Sequence, residues 1–197
     1  MGTIVFLVIL VAIVLYAISM YNNLVNSRNR VGNAFSQIDV QLTRRYDLIP
    51  NLVEAVKGYM GHERGTLEAV INARNAAQAG LRKAAADPSD PGAMKALAAA
   101  ETTLGGTLGR MFALAEAYPD LKASATYLEL QRRISTLEEQ IAHRREYYNA
   151  AVNLNNVRME QFPDSLLASI AGLRRASLFA ATAEEMADID VGGRLRT

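Results

Sequence analysis

No Lys, Arg, Asp or Glu occurs before Arg28, and Ile4 to Ile18 is apolar throughout. A charge-free apolar run of that length has few fates, because a helix in it satisfies its own backbone and leaves its side chains wanting lipid. Thr3 to Tyr21 is nineteen residues, which at ~1.5 Å rise per residue gives roughly 28 Å, one hydrocarbon core. Tyr16 and Tyr21, then Asn22 and Asn23, fall where an aromatic belt gives way to headgroups, and Arg28 and Arg30 follow. A cleaved signal peptide is the rival reading, since Ala17-Ile18-Ser19 is a small-x-small site. However, only Met1-Gly2-Thr3 precedes the apolar run, without the positive charge that a signal peptide carries there. With Arg28, Arg30, Arg44 and Arg45 all on the C-terminal side, the positive-inside rule predicts the N-terminus outside and the body in the cytoplasm.

Beyond the span the apolar positions step by four and three: Val31, Phe35, Ile38, Leu42, then Ile49, Leu52, Val56, Tyr59, and later Val70 and Ala77. That spacing is the seam of a helical bundle. Arg45 and Glu63 are charged positions on the same beat, and Pro50 lies within the run. The register is unchanged across Pro50, which predicts one long bent helix ending near Ala86. The competing reading breaks the helix at Asp47, whose side chain would cap a new one.

Eleven of the twenty-five residues from 76 to 100 are alanine, interrupted by Asp87-Pro88-Ser89-Asp90-Pro91-Gly92. Asp90 before Pro91 reads as an N-cap with proline at the first helical position. The helix it opens is expected to run to about Ala117, with Gly105, Gly106 and Gly109 marking close helix packing or, alternatively, a hinge. Tyr118-Pro119-Asp120 is expected to stop it and launch the longest uninterrupted helix, with Tyr127, Leu130, Ile134, Leu137, Ile141, Tyr148, Val152 and Met159 on its seam. Phe162-Pro163-Asp164 ends that helix, and an amphipathic stretch follows to Phe179.

The expected architecture is all-α: a transmembrane anchor at 1–23, then an antiparallel up-and-down bundle at 24–180 of three long helices and one shorter, four if Pro50 breaks the first. A loosely ordered tail is expected at 181–197.

Ser36-Gln37-Ile38-Asp39-Val40-Gln41-Leu42-Thr43-Arg44-Arg45-Tyr46-Asp47-Leu48-Ile49-Pro50-Asn51-Leu52-Val53-Glu54, continuing through Lys57-Gly58-Tyr59 to His62-Glu63, closely resembles the LemA family of bacterial membrane proteins. A second block agrees: Ala117 to Lys122, Leu130-Gln131, Glu138, Tyr148-Asn149-Ala150-Ala151-Val152-Asn153 and Phe162-Pro163. The resemblance implies a single inner-membrane span with a small extracytoplasmic N-terminus and a cytoplasmic antiparallel bundle. It implies no reaction. LemA-like proteins recur beside membrane proteases and in membrane assemblies, including one in magnetosome membrane formation, which implies a scaffold. Asn155 and the glycines from 105 to 109 depart from the expected pattern and soften the core.

Residues able to carry chemistry are sparse. There are no cysteines, which removes disulfides, thiolate metal sites and cysteine nucleophiles. The two histidines, His62 and His143, sit in no H-E-x-x-H or Glu-x-x-His pattern. Asp39, Asp47, Glu54, Glu63 and Glu68 share a predicted helix with Arg44, Arg45, Lys57 and Arg64, so surface pairing accounts for most of them. No phosphate-binding loop or nucleophile elbow occurs. A formal net charge of +1 excludes a general nucleic-acid binder. The chain is read as non-enzymatic, with no cofactor, metal, nucleic acid or small-molecule substrate. Its expected partners are membrane lipid, further copies of itself and a membrane protein.

Three clusters stand out. Arg44, Arg45, Asp47 and Asn51 surround a seam position where a lone charge would be costly. Arg45 is expected to pair with Glu101, which lies on the seam of a neighbouring helix, or, alternatively, to border a groove for a partner segment. Asn149, Asn153 and Asn155 with Tyr147 and Tyr148 read as a buried polar network. The third is the amphipathic stretch, where Phe162, Leu166, Leu167, Ile170, Leu173 and Phe179 accompany Arg174 and Arg175, as on a membrane-surface helix or as a cover for the end of the bundle.

Overall fold

The computed structural model describes residues 1–179. All regular structure among them is helical: α1 (Gly2–Lys57), α2 (Arg64–Ala86), α3 (Pro91–Ala115), α4 (Pro119–Lys122), α5 (Ala125–Glu160) and α6 (Asp164–Ile170). The expected tail at 181–197 lies outside the described residues.

α1 is the longest helix, 56 residues or about 84 Å, so the expectation that the helix after Pro119 would be longest is corrected. It runs without interruption through the 23/24 boundary assigned between span and bundle. From Met1 to Ser19 its side chains are exposed, with only Ala17 half-buried, whereas Met20, Leu24, Val31 and Phe35 are covered. The span therefore stands alone, and the same helix enters the bundle as one of its four long members.

The single bent helix expected to reach Ala86 is two helices. α1 passes through Pro50 and ends at Lys57, and residues 58–63 turn the chain back before α2 starts at Arg64. Met60 is buried and Tyr59 exposed, the reverse of the heptad expectation. The beat continued through the turn by coincidence of spacing. What ends the helix is the weak helical preference around Gly58 and Gly61, together with the core that α2 gains by folding back with Leu67, Val70, Ala77 and Leu81.

Asp90 caps α3 as expected, its Oδ1 accepting from the Gly92 amide at 2.8 Å, with Pro91 in the first turn. The Tyr118-Pro119 stop starts only the one-turn α4, and Ser124 caps α5. α1 packs on α5 and α2 on α3, the two pairs joining mainly through α1 and α2. The α2–α3 approach is close enough that a Cβ on Gly80 would lie 3.3 Å from Leu97 Cα, which explains the small residues there. Close packing was expected instead at Gly105, Gly106 and Gly109. A Cβ on any of these meets nothing within 4 Å, so that expectation is corrected. Each is expected to gain roughly 0.5–1 kcal/mol as alanine, read as a higher melting temperature; a loss would mean that these positions need glycine's freedom.

α1 and α5 run antiparallel in a constant register. Arg45 meets Glu138, Gln37 meets Arg144 at 2.9 Å, and Phe35 meets the Tyr148 ring edge to face at 6.0 Å. Continued along both helices, that register sets Tyr147 near residue 36 of α1, and Glu160, the last residue of α5, near Asn23, where the span ends.

Candidate functional site

The most unusual feature of the core is a polar node that ties all four long helices together. Arg45, 2% exposed, sends one terminal guanidinium nitrogen to Glu101 on α3 and the other terminal nitrogen to Glu138 on α5 at 2.7 Å. The Tyr46 hydroxyl donates to the second oxygen of Glu101. Burial works against the Arg45 charge, but the Glu101 and Glu138 carboxylates outweigh it and hold the guanidinium above its ordinary value. Burial likewise pushes the Tyr46 phenol up, and Glu101 pushes it further, so it stays a donor.

The fourth helix joins through Pro50. A residue there would normally donate its amide to the carbonyl four residues back, that of Tyr46; proline cannot. Arg74 of α2 donates instead, Nε to the Tyr46 oxygen at 3.0 Å. Pro50 thus frees a buried carbonyl whose replacement partner holds α2 against α1.

The sequence cluster around Arg45 divides. Arg45 and Glu101 meet in the core. Arg44 and Asp47 are exposed and line a shallow cleft with Arg132 and Arg133, while Asp47 lies 4.0 Å from Arg74. Asn51 faces a separate cleft against the start of α5. Tyr46, Arg74 and Glu138 are the members that sequence reasoning missed, although the carbonyl orphaned by Pro50 pointed to Tyr46.

The C-terminal cluster divides too. Helix covers only Asp164 to Ile170. Gly172, at φ +62°, then reverses the chain, and 173–179 forms a non-helical strap rather than the expected amphipathic helix to Phe179. Two asparagines of α5 grip its main chain. Asn156 donates to the Ala176 carbonyl at 2.9 Å and accepts from its amide at 3.0 Å. Asn149 does the same to Phe179 at 3.3 and 2.8 Å. The Tyr148 hydroxyl donates to the Ser177 carbonyl at 2.8 Å, and burial pushes that phenol up as well. Phe179 is buried, with the Arg145 guanidinium 4.8 Å from its ring centroid. It is therefore a core residue and no part of a surface face. Leu167 and Leu173 are half-buried, Arg174 and Arg175 exposed, and Arg175 pairs with Glu160 at 2.9 Å.

At the far end, α1 and α2 border an open groove of about 870 Å³ with Val53, Met60, Leu67 and Ile71 in its wall. Among the described residues, no group of three or more His, Cys, Asp or Glu is placed to hold a metal; His143 meets only Glu146, at 3.8 Å on the surface.

The LemA family model matches residues 34–192 of this chain. The chain is 28% identical over 187 residues to magnetosome protein MamQ 2 of Paramagnetospirillum magneticum, covering 86% of this chain and 68% of that relative. It is 28% identical over 188 residues to magnetosome protein MamQ of Magnetospirillum gryphiswaldense, with the same coverage. Protein LemA of Metamycoplasma hominis is 28% identical over 169 residues, 86% of this chain and 73% of the relative.

Proposed function

The chain belongs to the LemA family of membrane-associated, non-enzymatic proteins, and from that premise we propose that it is a self-assembling scaffold. One span holds it at the cytoplasmic face of the bacterial inner membrane, with the N-terminus outside. The carrying observation is an apolar stripe on the outer face of α5. Tyr147, Leu154 and Val157 are each more than half exposed and recur at a heptad spacing, 147–154 and 150–157, on the side of the helix away from Tyr148 and Val152. Tyr147 stands about 22 Å beyond the level of Tyr21 at ~1.5 Å per residue, too far for lipid to cover it. Another protein is the fitting occupant. Because every copy is anchored by the same unbroken helix, the stripes of neighbouring copies lie at one height, and confinement to the membrane raises their effective concentration.

The cysteine-free chain makes the test clean. Leu154→Cys is expected to give several-fold more oxidative dimer in native membranes than Lys83→Cys on α2, and Leu154→Glu is expected to weaken assembly. Equal yields at both positions would sink the reading. The second reading is an accessory subunit for a membrane protein, a membrane protease among them. It predicts that Leu154→Cys is captured in one stoichiometric hetero-adduct instead.

Membrane shaping through the C-terminal segment is favoured by the exposure of Phe162, Leu166 and Ile170, and it requires those side chains to reach lipid.

A further inference from the structure

α6 is a short helix placed at an unusual height. It packs against α1 and α5, and the α1–α5 register puts Glu160, the last residue of α5 and four before α6 begins, level with Asn23. Met20 and Leu24 of α1 are covered although the side chains before Ala17 are exposed. α6 therefore sits where the span leaves the bilayer.

Its outward side is strongly apolar. Phe162 is 81% exposed, Leu166 58% and Ile170 82%, with Leu166 and Ile170 one helical turn apart. Ala168 is buried and faces the other way, so this is a sided helix with its inner face used. A side chain such as Ile170 left in water so close to a hydrocarbon phase would be drawn to it. We propose that α6 is a foot, which inserts Phe162, Leu166 and Ile170 into the acyl–headgroup boundary of the leaflet through which the span exits.

The charges around the foot fit an apolar mode of attachment. Arg158 pairs with Asp164 at 3.2 Å and Arg175 with Glu160, while Arg28 and Arg174 line one cleft with Asp87. The cationic excess is small, so insertion depends on the three apolar side chains and persists on zwitterionic lipid. With α1 unbroken from the span into the bundle, a second contact on the leaflet would fix the bundle's angle to the membrane. The inference rests on Thr3–Tyr21 as a span and does not require self-assembly.

The test uses the full-length protein in phosphatidylcholine vesicles at low protein density, with an environment-sensitive fluorophore on Ile170→Cys. Leu10→Cys within the span and Leu128→Cys on the exposed face of α5 are the references. The expected result is quenching of the Ile170 probe by lipids labelled near the headgroup, with several-fold less aqueous iodide quenching than at Leu128. Iodide quenching equal to that at Leu128 overturns the foot. Shielding from iodide without lipid quenching also overturns it, and names a protein occupant. Loss of dimer at Leu154→Cys with lipid quenching retained at Ile170 would remove the scaffold and leave the foot standing.

Discussion

Arg45→Ala is expected to destabilise the bundle by about 3–5 kcal/mol, because it strips the counter-ion from a carboxylate that α3 holds in the core. Glu101 is 8% exposed and would keep only the Tyr46 hydroxyl. For a helical body of this size the loss corresponds to a melting temperature lower by on the order of 10 °C, measurable by circular dichroism of the full chain in detergent. The reciprocal variant Glu101→Ala leaves Arg45 with Glu138 alone and should cost a similar amount. Glu138→Ala, at a half-exposed partner, should cost about 1 kcal/mol or less. Replacing all three buried partners together, Arg45→Met, Glu101→Leu and Tyr46→Phe, should restore much of the loss, since apolar groups of similar volume need no compensation and no buried hydroxyl is left without its acceptor. A loss below 1 kcal/mol for Arg45→Ala would show that water reaches the node and that it does not tie the helices.

Asn149→Ala with Asn156→Ala is expected to release the strap. Each substitution leaves one amide and one carbonyl of the strap main chain without its side-chain partner, at about 1–3 kcal/mol apiece where water cannot replace it. Phe179 would then leave its place beside Arg145. Hydrogen exchange reads this directly: the Ala176 and Phe179 amides, which donate to Asn156 and Asn149, should lose protection while those of α5 keep theirs. Retained protection at both amides would mean that packing of Phe179, not the asparagine grip, holds the segment. Asn153, three residues from Asn156 on the same helix, has no place in this grip and serves as the control.

These two cases mark how much was legible in the residues. Arg45 stood on an apolar beat, which already required a buried partner, and Glu101 stood on a second beat. Glu138 was visible only as a member of a family motif, because its half-exposed position off the seam carries no periodic signal. Pro50 announced that the Tyr46 carbonyl would lack its helical donor, yet nothing local pointed to Arg74, which lies on the next helix. The polar residues of α5 read as one network, but the working pair is Asn149 and Asn156, seven apart on one face, and their partner is main chain. Main-chain recognition leaves no residue pattern in the strap to find. The break at 58–63 was hidden for a related reason, since its length nearly preserved the heptad phase.

The residues alone determined the anchor, the all-helical body, the seams of the helices, the Asp90 cap and the need to pair Arg45, because each follows from charge, length or a repeat that spans at most two helical turns. Tertiary structure decided where α1 turns back, which helix receives each buried charge, that Phe179 points inward while Phe162, Leu166 and Ile170 point outward, and at what height they stand. Those outcomes depend on the register between helices far apart in sequence, and that register is set by which faces together bury the most apolar surface and leave the fewest polar groups unpaired.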